Sequence, residues 1–225
     1  MESFFRVKGS TIEVVYNGVD TSRYNQNLRH DLRGSLRRQL GIRADEAVFL
    51  FISYDLKKKG IEPLVEAASQ LKNMGDINFK VIVIGQRPYS ALSRQIKALD
   101  IEDKILFTGP VRSTEEYYAN SDAFVLPTYY DACSLVVIEA MASGLPSITT
   151  RTNGAAGIIT DGKDGYVVSH PPESSELAQK MHLLLDYEKR QKMSRQALRT
   201  GQSYSAEKNH QKIMGILDEM ATLKG

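Results

Sequence analysis

Ala47-Val-Phe-Leu-Phe-Ile-Ser53 is an apolar run broken only by its closing serine. A strand with one wet face alternates polar and apolar residues, so an unbroken run marks a strand buried on both faces, the kind found in parallel sheets. Its sequel fits that reading. Tyr54-Asp-Leu-Lys-Lys-Lys59-Gly60 is a loop, Ile61 to Asn73 has helical character with Pro63 in its first turn, and Phe79-Lys-Val-Ile-Val-Ile84 is a second such strand. Strand, loop, helix, strand is the βαβ unit of an open parallel sheet.

The pattern continues downstream. Gly85 to Pro88 reads as a turn and Tyr89 to Leu99 as a helix, followed by a strand at Lys104-Ile-Leu-Phe107. Ser113 to Asn120 is predicted to be helical, with Ser113 as cap and Glu116 in the capping-box position. Asp122-Ala-Phe-Val-Leu126 is a strand, as are Ser147-Ile-Thr-Thr150 and Gly165-Tyr-Val-Val168. From Glu173 the chain is predicted helical to its end, after Pro171-Pro172, with Gly201 separating the earlier helices from a terminal one at Ala206 to Leu223. Upstream, residues 1 to 10 read as the tail of an element that began elsewhere. Thr11-Ile-Glu-Val-Val-Tyr16 reads as an entry strand ending in the Asn17-Gly18 turn, and residues 21 to 46 are polar and helical in part from Leu32 to Leu40. The predicted fold is a single α/β domain over residues 1–225: a Rossmann-like open parallel sheet with helices on both faces, residues 1–20 as linker and 173–225 as C-terminal helices.

Bulk composition narrows the function. The chain has 225 residues, 42% of them hydrophobic, and a net charge of only +2, which argues against a nucleic-acid binder. The single cysteine, Cys133, excludes an intrachain disulfide framework and fits a reducing compartment. The four histidines show no metal-ligand spacing, and Asp100-Ile-Glu102-Asp103 reads as an exposed turn, so no metal is expected. No G-x-G-x-x-G or Walker pattern occurs, which disfavours a dinucleotide enzyme or an ATPase. No stretch has the length of a signal peptide's apolar core or of a membrane span, and the expected location is the cytoplasm.

Ligands of open α/β sheets bind at the carboxyl ends of the strands, and three loops there carry unusual residues. In the first, Lys59 precedes Gly60 at a helix start, where an ammonium and backbone amides can meet a diphosphate; a solvated Lys57-Lys58-Lys59 run is the plain alternative. In the second, Thr108-Gly109-Pro110-Val111-Arg112, Gly109 would let a base approach the backbone, or simply make a tight turn. The third is Asp131-Ala-Cys-Ser-Leu-Val-Val-Ile-Glu139, running on to Gly144 and Pro146. Ser134 reads as its N-cap, and Glu139 is a carboxylate in an apolar helix that needs a bonding partner. Cys133 has no histidine near it in sequence and reads as a small packing residue rather than a nucleophile. Asn153-Gly154-Ala-Ala-Gly157 suits a phosphate but is also a common turn signal.

These segments together resemble the retaining glycosyltransferases of family 4 (group 1), whose members carry two facing Rossmann-like domains. Val14 to Asp20 is similar to the "I-P-N-G-V-D" opening of the C-terminal, donor-binding domain. Phe51 to Gly60 resembles "F-V-G-R-x-x-x-x-K-G", and Phe107 to Arg112 the "F-x-G-x-V" turn. Asp122 to Pro127 is similar to "A-D-V-F-V-L-P-S", Asp131 to Pro146 to the E-x7-E motif, and Asp161 to Val168 to "D-G-x-x-G-x-L-V". The resemblance implies that Glu139 accepts hydrogen bonds from ribose hydroxyls and Asp131 holds hydroxyls of the donor sugar. It implies that the Ser134 and Leu135 amides, beside Cys133, bind the sugar phosphates. Lys59 would neutralise the diphosphate leaving group, and Gly109 and the Val111 backbone would border the base. Lys59 and Asp131 are thus the expected catalytic positions, with no cofactor and no metal.

Departures accompany the match. Asp131 replaces the family's usual Glu, Tyr54 stands where an Arg often lies beside the diphosphate, and Gly157 stands where many members have Glu. The form of the third motif is similar to members that glucosylate the lipopolysaccharide inner core. That implies a UDP-hexose donor such as UDP-glucose, a cell-envelope glycan or lipid-linked acceptor, and peripheral attachment of the full-length enzyme at the inner membrane face. The N-terminal acceptor domain of such enzymes is absent from this chain, so the expectation is a domain that binds donor and transfers poorly alone. The terminal helix should then expose apolar surface. Two rival readings remain: a sugar-nucleotide epimerase of related shape, and a non-catalytic α/β interaction module.

Overall fold

The computed structural model describes residues 12–27, 32, 34–75 and 77–222. Six strands form one parallel sheet: β1 (Ala47–Ser53), β2 (Phe79–Gly85), β3 (Ile105–Gly109), β4 (Ala123–Leu126), β5 (Ser147–Thr150) and β6 (Gly165–Val168). Their spatial order is β3-β2-β1-β4-β5-β6. Every residue of β1 is buried, as its unbroken apolar run requires of a central strand. Helix α1 (Ser35–Gln39) precedes β1, and between the strands lie α2 (Ile61–Lys72), α3 (Ser90–Ala98), α4 (Glu115–Asn120) and α5 (Leu135–Ala142). After β6 come α6 (Ser174–Leu183), α7 (Tyr187–Ser203) and α8 (Ala206–Thr222).

Strand order reverses between β1 and β4. Because βαβ crossovers are right-handed, the reversal sends α2 and α5 to opposite faces of the sheet. There α2 packs with α6, and α5 with α7. The reversal also opens a crevice where the chains leaving β1 and β4 diverge, the place where ligands of such sheets bind.

Three local expectations need correcting. The predicted strand at Thr11 to Tyr16 is not a sheet member: residues 12–18 carry no strand, and the segment is tied down by the Val19–Ser205 bridge and an edge-on Tyr16–Tyr204 ring contact at 5.7 Å. The α4 cap is Thr114 rather than Ser113, whose hydroxyl donates to Glu115 Oε2 at 2.6 Å instead. The partial helix expected from Leu32 to Leu40 is seen, among the described residues, at Leu32 and in α1. Gly201 does not break a helix but sits inside α7, because a Cβ there would stand 2.1 Å from the Ala142 backbone nitrogen. It is a close-packing glycine, and the break falls at Tyr204 and Ser205. The predicted tail at residues 1 to 10 lies outside the described residues, as does Leu223. On α8, Ile213, Met214, Leu217 and Met220 are exposed and no residue is buried.

Candidate functional site

The chains leaving β1 and β4 are laced together before either reaches its helix. Gly60 caps α2 at φ 79, and a Cβ there would lie 2.0 Å from the Pro127 carbonyl, so only glycine lets the β1 loop press on the β4 exit. The Lys58 carbonyl accepts the Tyr129 N–H at 3.0 Å and the Thr128 hydroxyl at 3.2 Å. The lysine run is thereby divided. Lys57 lies over the Tyr89 ring at 4.8 Å and Lys58 over Tyr130 at 6.0 Å, while Lys59 turns inward to pair with the Asp131 carboxylate.

Asp131 is the hub of that corner. Its Oδ2 accepts from Lys59 Nζ and from the Ser134 hydroxyl, and its Oδ1 from the Cys133 N–H at 3.1 Å. Burial pushes its carboxyl up, but the bonds from Lys59 and Ser134 outweigh it and hold the group below the ordinary aspartate range. Ser134 occupies the N-cap position of α5, as predicted, yet its hydroxyl serves Asp131 and does not cap. Its own N–H is taken by Asn153 Oδ1 at 3.2 Å, and no side chain caps the first turn. That start is an anion-favouring helix end with an ammonium beside it.

Lys59, Asp131, Cys133, Ser134 and Leu135 line one cleft of about 300 Å³, floored by Ile52, Ser53 and Leu126 at the β1–β4 crevice. Leu135 and Tyr54 are its exposed rim. Burial and the nearby Asp131 charge push the Cys133 thiol up, against a backbone bond from Asn17, which favours the protonated thiol in the cleft wall.

Glu139 lies one turn deeper in α5 and outside that cleft. Burial raises its carboxyl above the ordinary glutamate range, and the Tyr118 hydroxyl, 2.9 Å from Oε2, pulls it partly back. Tyr118 is fully buried in α4, packed edge-on against Tyr24 at 5.5 Å, so its phenol has little freedom to point elsewhere. Sequence reading asked for a partner to Glu139 and missed this one, because it comes from the preceding helix. Gly109 ends β3 at φ 75, with the Arg87 Nε 3.7 Å from where its Cβ would be, and Val111 packs half-buried against the core nearby. Neither lines the 300 Å³ cleft.

Asn153 is the other residue that sequence reading undervalued. Buried, it caps a short 3-10 helix (Gly154–Ile158) through Ala155 N and donates to Thr149 Oγ1 at 3.0 Å while holding Ser134. It is a brace for the α5 start. At Gly157, where a Cβ would meet the Tyr16 hydroxyl at 2.2 Å, Tyr16 occupies the space into which a longer side chain would grow. Among the described residues no group of three or more His, Cys, Asp or Glu could hold a metal ion. No helix among them is long and apolar enough to cross a membrane.

Comparison with known proteins gives this geometry a family. The model described as "Glycosyl transferases group 1" matches residues 33–200. N-acetyl-alpha-D-glucosaminyl L-malate synthase of Bacillus anthracis is 30% identical over 83% of the chain and 48% of its own length. The lipopolysaccharide glucosyltransferase WaaG of Escherichia coli K12 is 25% identical over 78% of the chain and 47% of its own. The chain thus spans about half the length of the curated relatives it matches. The fold is shared with the crystal structure of Anabaena Alr3699/HepE in complex with UDP and glucose, at TM-score 0.80, 24% identity, and coverage of 94% of this chain and 58% of that one. These matches favour glycosyl transfer over epimerisation or a purely structural role, and the chain belongs to the group 1 glycosyltransferases.

Proposed function

We propose that this domain forms the donor half of a metal-independent, retaining hexosyltransferase that uses UDP-glucose or a related UDP-sugar. The observation that carries the reading is the convergence of Lys59, Asp131 and the α5 start on one cleft at the β1–β4 crevice, with Glu139 one turn deeper. In this reading the diphosphate lies against the α5 amides of Ser134 and Leu135. Lys59 exchanges part of its bond to Asp131 for the phosphate oxygens. As the sugar–phosphate bond breaks, negative charge grows on the leaving diphosphate, and a preplaced ammonium and helix end stabilise it there. Asp131, kept ionised by its donors, accepts sugar hydroxyls. Glu139 receives the ribose hydroxyls, and the base runs toward Gly109 and Val111.

The acceptor is proposed to be a cell-envelope glycan or lipid-linked sugar, met at the cytoplasmic face of a membrane. The similarity to lipopolysaccharide and other surface-glycan enzymes supports this. Calorimetric titration with UDP, UDP-glucose and GDP-mannose tests the donor reading. Saturable binding of the UDP ligands, weakened by Glu139→Ala, is the expected result. Absence of nucleotide binding, or binding indifferent to that change, overturns it.

A further inference from the structure

Residues 189–199 of α7 read Lys-Arg-Gln-Lys-Met-Ser-Arg-Gln-Ala-Leu-Arg, with five basic side chains and no acid. The chain as a whole is balanced, 29 basic against 27 acidic residues, so this is a local excess. The helix then sorts it. Arg190 is buried and donates to the Leu184 and Leu185 carbonyls, closing α6, while Met193, Ser194, Ala197 and Gly201 face inward. Lys189, Lys192, Arg195 and Arg199 are exposed, and their spacing places them within an arc of about 120° on the outer face.

Lys163, in the turn before β6, joins this stripe from another element. It lines a cleft of about 400 Å³ with Gly162, Lys189, Lys192, Arg195 and Gln196. Among the described residues none of Lys163, Lys189, Lys192 and Arg195 has a carboxylate partner, whereas Lys72, Lys104, Arg43 and Lys212 each have one. Against these cations stand Asp186, which caps α7, and exposed Glu188, four positions before Lys192; the five basic side chains still leave a net positive surface, which favours a multivalent anion.

Position and length say which kind. The turn carrying Lys163 enters β6, whereas the donor loops leave β1 and β4, and in a parallel sheet strand entries and exits lie at opposite ends of the strands. From Lys189 to Arg199 the helix rises about 15 Å, too long for one phosphate and suited to a row of headgroups in a plane. We infer that Lys163 and the Lys189–Lys192–Arg195–Arg199 stripe form a docking surface for an anionic phospholipid membrane. The surface deepens the membrane-face reading above but does not depend on nucleotide binding, since it shares no residue with the donor cleft.

Sedimentation with vesicles tests it, comparing phosphatidylcholine alone with equal parts phosphatidylcholine and phosphatidylglycerol. Binding is expected to the mixed vesicles only, and to fall as salt rises. Each cation should contribute about fivefold to the partition coefficient, so neutralising two of them costs about 25-fold and Lys192→Glu/Arg195→Glu at least that much. UDP affinity and circular dichroism should be unchanged in that variant. Arg94→Glu/Lys97→Glu on α3 makes the same change of net charge elsewhere and should still bind. Equal binding to both vesicle types overturns the inference, as does retention by the α7 variant or equal loss in the α3 variant. Saturable binding of inorganic phosphate without vesicle binding, or tighter binding to random RNA, also overturns it by moving the partner to another class. Loss of UDP binding with intact vesicle binding would strike only the donor reading.

Discussion

Tyr118→Phe removes one oxygen from a fully buried ring and leaves its packing against Tyr24 and Phe124 in place. What goes is the donor 2.9 Å from Glu139 Oε2. A hydrogen bond to a charged group contributes about 1.5–3 kcal/mol, and because Glu139 is only partly buried, water can replace some of it, so about 1.5 kcal/mol is expected. That figure is roughly tenfold in an equilibrium constant. The Glu139 carboxyl, already pushed up by burial, should rise further once its main opposing bond is gone. Three measurements follow: denaturant unfolding, carboxyl-resolved NMR titration, and calorimetry with UDP beside an analogue lacking the 2′ and 3′ ribose hydroxyls. The variant should lose stability by the amount given, titrate Glu139 higher, and bind UDP several-fold more weakly while the dideoxy analogue is unaffected. Equal weakening for both nucleotides would show that Tyr118 only supports the fold. An unmoved Glu139 titration would refute the reasoning at its root.

Lys59→Ala should weaken UDP about tenfold or more yet leave uridine unchanged, since the ammonium is proposed to meet only phosphate oxygens; calorimetry with the two ligands checks this. Gly201→Ala should destabilise by about 3 kcal/mol in denaturant unfolding, because the new methyl would meet the Ala142 backbone 2.1 Å away rather than a movable side chain. The two carboxylates should respond to pH in opposite senses. Asp131 lies below its ordinary value, so it contributes stability above that value which is lost as pH falls through the lowered one. Glu139 lies above its own, so its favourable protonated form is lost as pH rises through the raised value. Asp131→Asn should therefore flatten the acid limb of the stability profile, and Glu139→Gln should raise stability near neutral pH.

The sheet was largely readable because a strand buried on both faces has no polar positions to hide: β5 and β6 fall on their predicted residues, and β1 does too. Where the same logic was applied to Thr11 to Tyr16 it failed. Alternating β-branched residues favour extended backbone, but a strand also needs a neighbour with free ladder groups, and here the Val14 and Tyr16 carbonyls take side-chain donors of α8, Lys212 and Asn209, instead of a strand. Gly201 failed for a related reason. In sequence a glycine in a polar helix is a breaker, and only the crossing of α7 over α5 makes it a contact.

The site divides along the same line. Residues that act from within one loop, such as Asp131 with Cys133 and Ser134, lie within three positions of one another, and their convergence follows from local geometry. The partners that set their charge come from elsewhere: Lys59 is 72 positions from Asp131, and Tyr118 is 21 from Glu139. No periodicity links such pairs. They meet because strand order reverses between β1 and β4, which lays the β1 loop on the β4 exit, and because α4 feeds the strand that leads into α5. The reversal therefore does more than open a crevice. It supplies Asp131 with Lys59, while the α4–β4–α5 succession supplies Glu139 with Tyr118, so that one carboxylate is held ionised in the cleft while the other sits in an apolar helix. Any change that shifts the β1 loop against Pro127, Gly60→Ala for instance, should disturb Asp131 without touching it. Its carboxyl titration should then move up toward the ordinary value, which the same NMR experiment would read.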